Sequence, residues 1–344
     1  MSLNKTKIVA FHLAALVATI AAGSFAVAAF AALTFSGNSI SGDGAVSIMA
    51  SSSVLLHASG TQNLFAGYQA GQNITSGNQD TFLGYQAGVS ATTPAISTFV
   101  GYLAGNLSTT GNYNTFVGGY AGEKNTTSTD DVFIGLSSGR FITSGSFNTC
   151  IGNYSCNSWN GVTTGNQNSV VGFQALPGLT IGQSNVAVGI YAGYTNTSGT
   201  LNTFLGAQAG YLNTTGVQNI VIGGFANGLN SNITTGSNNI LIGNDISAQS
   251  ATASNQLNIG NMLFGTGLSG TGSTIAGKIG VGTNAPSSTL HVFNSSSTIR
   301  IGNGTASSTG CLEMGNSDGT AGINYVTVLN GTLSATTTKP SACQ

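Results

Sequence analysis

The sequence predicts an all-β chain whose body is a parallel β-solenoid of about twelve 17-residue rungs. Three observations carry that prediction. A glycine recurs at Gly67, Gly84, Gly101, Gly118, Gly135, Gly152, Gly172, Gly189, Gly206, Gly223, Gly243 and Gly260, with nine intervals of 17 residues and two of 20. An aliphatic residue precedes it in rung after rung: Leu83, Val100, Val117, Ile134, Ile151, Val171, Val188, Leu205, Ile222, Ile242 and Ile259. A Thr-Thr-Gly or Thr-Ser-Gly turn closes ten residues past this anchor, at Gly77, Gly111, Gly145, Gly199 and Gly216. One rung buries two or three side chains at roughly 1.5–3 kcal/mol each, against an ordering cost of about 1.5 kcal/mol per residue. A single rung is therefore unstable, and stacking must supply the rest.

Residues 1–35 open the chain with a short basic stretch and then an uncharged run from Ile8 to Phe35. That run is long enough to span a bilayer as a helix. It also fits a signal peptide, the preferred reading, with Ala26-Val27-Ala28 and Ala29-Phe30-Ala31 as small-x-small cleavage candidates. Both readings take the bulk of the chain out of the cytoplasm. Residues 36–62 are rich in Ser and Gly around one strand candidate, Val54-Leu55-Leu56, and are expected to cap the solenoid's first edge. His57 there has no second ligand nearby and is expected to be a polar edge residue.

Residues 63–262 form the solenoid. The residue two before each anchor points opposite to the aliphatic one, and it too is apolar: Phe65, Phe82, Phe99, Phe116, Phe133 and Phe204 among them. A rung has one inside, so a strand apolar on both faces needs a second partner. The expectation is a homo-oligomer packed about an axis through Phe82, Phe99, Phe116, Phe133 and Phe204, the alternative being a wide single-chain solenoid with a covering element. An asparagine column at Asn63, Asn114, Asn148, Asn168, Asn185, Asn202, Asn219 and Asn239, with Asp80 and Asp131 in register, is expected to hydrogen-bond along the axis. Both three-residue insertions fall between anchor and turn, in one arc of the rung.

The first insertion is the most irregular rung. Cys150 stands where phenylalanine stands elsewhere, and Cys156 replaces the glycine of the Ala-Gly phrase. An exported chain favours a disulfide, either between these two or across chains; no histidine follows at zinc-ligand spacing. Tyr154 and Trp159 lie in the same arc. Aromatics on a loop over a rigid scaffold make them a candidate ligand-contact loop, the alternative being that Trp159 folds back over the core.

Phrases such as Asn185-Val186-Ala187-Val188-Gly189, Asn168-Ser169-Val170-Val171-Gly172 and Asn239-Ile240-Leu241-Ile242-Gly243 resemble the head repeats of trimeric autotransporter adhesins. The resemblance covers some 200 residues of the chain. It implies a homotrimer of parallel β-rolls that attaches to host matrix or to other cells.

Residues 263–296 are expected to be a linker and junction, with 265–277 rich in Gly, Ser and Thr. The phrase Lys278-Ile279-Gly280-Val281-Gly282-Thr283-Asn284-Ala285-Pro286 resembles junctions of phage tail fibres and bacterial surface fibres. Residues 297–344 carry strand candidates at Thr298–Ile301 and Tyr325–Leu329 and form a small C-terminal β module. Cys311 and Cys343 are a second candidate disulfide, closing that module.

Charge and site chemistry narrow the function. Charged residues make up 4% of the chain and the net charge is −1, which excludes a phosphate-tracking nucleic-acid binder. His12, His57 and His291 lie in unrelated segments, and the one adjacent carboxylate pair, Asp130-Asp131, falls in a rung turn. No catalytic triad, metal set or cofactor motif emerges, and the chain is not expected to be an enzyme. The leading reading is an exported cell-surface adhesin-like fibre with a surface receptor or glycan as partner. A phage-type tail fibre and an ice-binding solenoid are the alternatives. For the last, Thr75, Thr109, Thr143, Thr163, Thr197, Thr214 and Thr234 are a threonine column interrupted at Pro94 and Ser128.

Overall fold

A β-strand alternates its side chains between two faces, and a short strand repeated at constant spacing pairs in register with its copies. The protein's structure, a computed structural model, shows that outcome. It describes residues 48–50, 53–57, 61–158, 161, 163–224, 233–269, 276–293, 310–315, 323–329 and 332–336. Segment 1–35, Trp159, residues 225–232 and Cys343 lie outside the described residues.

Two strands, β1 (Ile48–Ala50) and β2 (Ser53–His57), precede twelve strands of three residues each. These are β3 (Leu64–Ala66), β4 (Thr81–Leu83), β5 (Thr98–Val100), β6 (Thr115–Val117), β7 (Val132–Ile134) and β8 (Thr149–Ile151), then β9 (Ser169–Val171), β10 (Val186–Val188), β11 (Thr203–Leu205), β12 (Ile220–Ile222), β13 (Ile240–Ile242) and β14 (Leu257–Ile259). Neighbours pair in parallel, residue for residue, so that Phe82 lies against Phe99 and Phe204 against Val221. The chain is a parallel β-solenoid, and no helix occurs among the described residues.

The phenylalanines are the interior of the single chain. Phe65, Phe82, Phe99, Phe116, Phe133 and Phe204 are all fully buried. The first five stack ring on ring with centroids 4.5–5.0 Å apart. This corrects the expected oligomer face at Phe82, Phe99, Phe116, Phe133 and Phe204. The physical reason is the buried column of small residues within the same rungs, at Ala70, Ala87, Ala104, Ala121 and Ala209, which leaves room in the interior for a ring. The aliphatic residue before each anchor points outward instead, with Val171 41% and Leu205 44% exposed.

The anchor must be glycine for two reasons. Gly84 has φ of 137°, a region closed to side chains, and a Cβ on it would lie 2.3 Å from the carbonyl oxygen of Gly101 in the next rung.

Two side-chain ladders bind the rungs along the axis. In the first, the side-chain oxygen of one rung accepts the backbone N–H of the residue at the same position in the next, running unbroken from Asn63 through Asp80, Ser97, Asn114, Asp131, Asn148 and on to Gln256. Asn185 is typical: its N–H donates to Asn168 Oδ1 at 3.0 Å and its Nδ2 donates to the Gly199 carbonyl at 2.9 Å. Buried amides are thereby satisfied without water.

The second ladder is threonine, and it is more continuous than the sequence reading. Thr75, Thr92, Thr109, Thr126, Thr143, Thr163, Thr180, Thr197, Thr214 and Thr234 each donate their hydroxyl to the carbonyl of the residue one rung on. Thr92 and Thr126 fill the places thought broken. Pro94 and Ser128 occupy the neighbouring register of the turn glycine, as their closeness to Gly77 and Gly111 shows.

Antiparallel strands cover both ends of the parallel stack. At the start β1 pairs with β2, and β2 with β3. At the other end β14 pairs with β15 (Leu263–Ser269), which pairs with β16 (Ala276–Val281), and β17 (Leu290–Val292) joins β16 in parallel. The stretch 265–277, expected to be a linker, thus contributes two strands; the open edge of β14 offers them a template. Strands β18 (Gly310–Gly315), β19 (Ile323–Leu329) and β20 (Thr332–Thr336) form a separate antiparallel sheet.

Candidate interaction surface

The residues singled out for chemistry stand as follows. Cys150 and Cys156 are bonded to each other inside the rung, with Cα atoms 6.1 Å apart, and both are fully buried. They replace a ring and a glycine, so the bridge fills the volume the phenylalanine vacates. Tyr154 is half-buried; its N–H donates to the Leu136 carbonyl at 2.8 Å, and its ring meets Phe173 edge-on at 6.3 Å. Trp159 lies outside the described residues, so the two do not form a described site. Cys311 sits in β18, while Cys343 lies outside. Among the described residues no cluster of three His, Cys, Asp or Glu is placed to hold a metal.

What remains is surface. The outward face of strands β3–β14 bears two columns and no charged residue. One is the aliphatic column before the anchors, and the other changes from Thr81, Thr98 and Thr115 to Val186, Ile220, Ile240 and Leu257 along the chain. The second half of the face is therefore largely apolar, interrupted at Ser169 and Thr203, with Val186, Leu205, Ile220 and Ile259 each between 37% and 44% exposed. Exposed apolar side chains aligned in this way make the face a candidate interaction surface.

Within the rungs, exposed aromatics fall in two registers. Tyr68, Tyr85 and Tyr102 follow the anchors and stack on one another at 5.3 and 5.2 Å, so their ring faces are occupied. The second group sits five residues before the anchors, where Gln79, Ile96, Tyr113, Asp130, Phe147, Gln167 and Leu201 all adopt positive φ between 55° and 62°. Each left-handed residue is held by its N–H: Tyr113 donates to Ala95, Asp130 to Asn112, and Phe147 to Thr129, at 2.9–3.1 Å. Ile96, Tyr113, Phe147 and Leu201 stand 52–58% exposed on this ridge. The sequence reading passed over them. Their shared offset from the anchor was visible; their left-handed backbone and exposure were not.

Charge gathers at one corner. Glu123 accepts from Lys124 at 2.8 Å and from Arg140 at 2.5 Å. Burial pushes its carboxyl up, but the two cations outweigh that and hold it below the ordinary value. Arg140 also lies over the ring of Tyr120, 4.7 Å from the centroid. Glu123 is thus fully engaged and offers no free general acid or base.

Compared with known proteins, the chain matches no family model, no curated protein and no solved structure.

Proposed function

We propose that this chain is an exported adhesin-like fibre protein that attaches its cell to a surface or to another cell, and that it works as a homotrimer packed through the outward aliphatic ladder. The observation that carries this reading is the outward face itself. A periodic, uncharged face is met at every rung only by a partner of the same rung spacing, and a second copy of this chain has that spacing. The low charge of the chain leaves little repulsion to oppose such packing. The buried Cys150–Cys156 bond suits an oxidising compartment, in keeping with the uncharged run Ile8–Phe35 as an export or anchoring segment.

Absolute mass by light scattering on the exported chain tests the assembly, with a mass three times that of one chain expected. A single-chain mass sinks it. Attachment is tested with cells that carry or lack the protein, and equal adhesion of the two would overturn the functional reading.

A further inference from the structure

We infer that Tyr113, Asp130 and Phe147 form a docking strip for an extended, neutral β-1,4-linked polysaccharide running along the solenoid axis. The inference rests on the attachment reading above and gives it a ligand.

The three residues occupy the same register in three successive rungs. Tyr113 and Phe147 are 53% and 58% exposed, and Asp130 between them is exposed as well. Their backbones share one geometry, with φ of 59°, 58° and 62°. Interior rings at the neighbouring rungs repeat every 4.8–4.9 Å, so the two exposed aromatics stand two rungs, or about 10 Å, apart. That is the length of the two-sugar repeat of an extended β-1,4-linked glycan, whose alternate residues present the same face.

Chemistry fits the spacing. An aromatic ring carries partial negative charge on its face, and the axial C–H groups of a β-linked pyranose are polarised positive. No ring contact among the described residues involves Tyr113 or Phe147, in contrast to the stacked Tyr68, Tyr85 and Tyr102. Asp130 is placed to accept from sugar hydroxyls, and the exposed Thr110, Thr127 and Ser144 run alongside in the same rungs. A neutral ligand matches a chain with so few charges.

Strain points the same way. A side chain in the left-handed region costs on the order of 1 kcal/mol, least for residues such as Asn and Asp, and this column elsewhere accepts Gln79, Gln167, Gln218 and Asn238. Bulky aromatics are not needed there for the turn. Held by a backbone that cannot relax, they present their rings with little freedom to lose on binding.

The experiment is isothermal titration of the full chain with cellohexaose and with chitohexaose, using maltohexaose as the α-linked control. At least one β-linked hexaose is expected to bind and maltohexaose is not. Tyr113→Gln and Phe147→Gln place the column's own native residue at each site, so the fold is retained, as circular dichroism and an unchanged melting temperature would verify. Each is expected to weaken binding about tenfold, and the pair to abolish it. Failure of both β-linked hexaoses to bind, or equal binding by the double variant, overturns the strip. If cells carrying the protein still attach while neither hexaose binds, the strip falls and the attachment reading stands. If hexaoses bind but carrying the protein confers no attachment, the reverse holds.

Discussion

Gly105 leaves the space that Phe99 occupies: a Cβ on Gly105 would lie 2.7 Å from two carbons of the Phe99 ring. The same pairing of ring and glycine recurs at Phe82 with Gly88, Phe116 with Gly122 and Phe133 with Gly139. In two rungs that lack the ring the glycine is replaced as well, in the pairs Cys150 with Cys156 and Val170 with Leu176, all of them fully buried, whereas Gly193, six residues after Ala187, is kept and faces Leu176 and Phe204 of the neighbouring rungs. The interior is thus filled by complementary volumes across one rung, as close packing requires.

That rule is testable in the middle of the stack. Phe99→Val alone leaves a cavity and is expected to lose about 2–4 kcal/mol. Gly105→Leu alone is expected to destabilise by at least as much, since it must displace a ring held on both sides. The double variant rebuilds the native Val170–Leu176 pair, and denaturant unfolding should show it more stable than either single change by about 1 kcal/mol or more.

Two carboxyls in the amide ladder make stability depend on pH. Burial raises Asp131 to about 7, although bonds from Ser128 and Asn148 oppose the rise, and burial raises Asp80 to about 6 against a bond from Ser97. In the unfolded chain both titrate near 3.9. Between about pH 4 and 7 the folded state therefore binds more protons, so stability falls as pH rises through that window. Melting temperature is expected to be higher at pH 5 than at pH 8. Asp131→Asn supplies the amide found at most other rungs, and should flatten the dependence and raise stability at pH 8 by on the order of a few kcal/mol. A pH profile identical to the wild type would count against it.

The buried disulfide contributes through a short closed loop. With Cys150 and Cys156 six positions apart, the chain-entropy contribution is about 2 kcal/mol. Cys150→Ser with Cys156→Ser should lower the unfolding free energy by that amount or more, because two hydroxyls then replace sulfur in an apolar site. In the native protein neither cysteine should react with a thiol reagent, because both sulfurs are in the bond, and its full burial should also slow reduction of the folded chain.

On the proposed packing, the outward ladder should tolerate charge within one chain but not between copies. Leu205→Lys, at a position 44% exposed, is expected to leave the melting of the isolated chain within about 0.5 kcal/mol of wild type. Light scattering should nevertheless show the assembly dissociating. An oligomer of unchanged mass in this variant would move the interface to another face.

Ile96 offers a check on the ridge geometry. A β-branched residue at φ of 55° is strained, and Ile96→Asn is expected to stabilise the chain by roughly 1 kcal/mol. Loss of stability would mean that the exposed isoleucine packs on something outside the single chain.

Much of the fold is legible from the glycine period alone. The strands fall where the aliphatic and phenylalanine registers put them, and the Asn63-to-Gln256 ladder runs along the axis as stacked amides should. Reading the threonines went astray for a local reason: Pro94 and Ser128 stand in the turn-glycine register, two residues past Thr92 and Thr126, and a repeat with substitutions in its turn is easily misaligned by that amount. The ridge at Tyr113 and Phe147 was equally present in the sequence, but nothing in the letters marks those positions as left-handed.

Sequence by itself determined the rung: its length, its strand, its glycine anchor and the columns that must hydrogen-bond along the axis. These follow from local sterics and from a period that lets identical residues stack. Only the tertiary structure decided which apolar face of the strand is inside. Phe99 and Val100 are both hydrophobic and adjacent, and strand alternation sends them to opposite sides without saying which side is enclosed. The choice is made across the rung, where Ala104 and Gly105 leave a space the size of a ring, and that fit exists only once the chain has closed on itself.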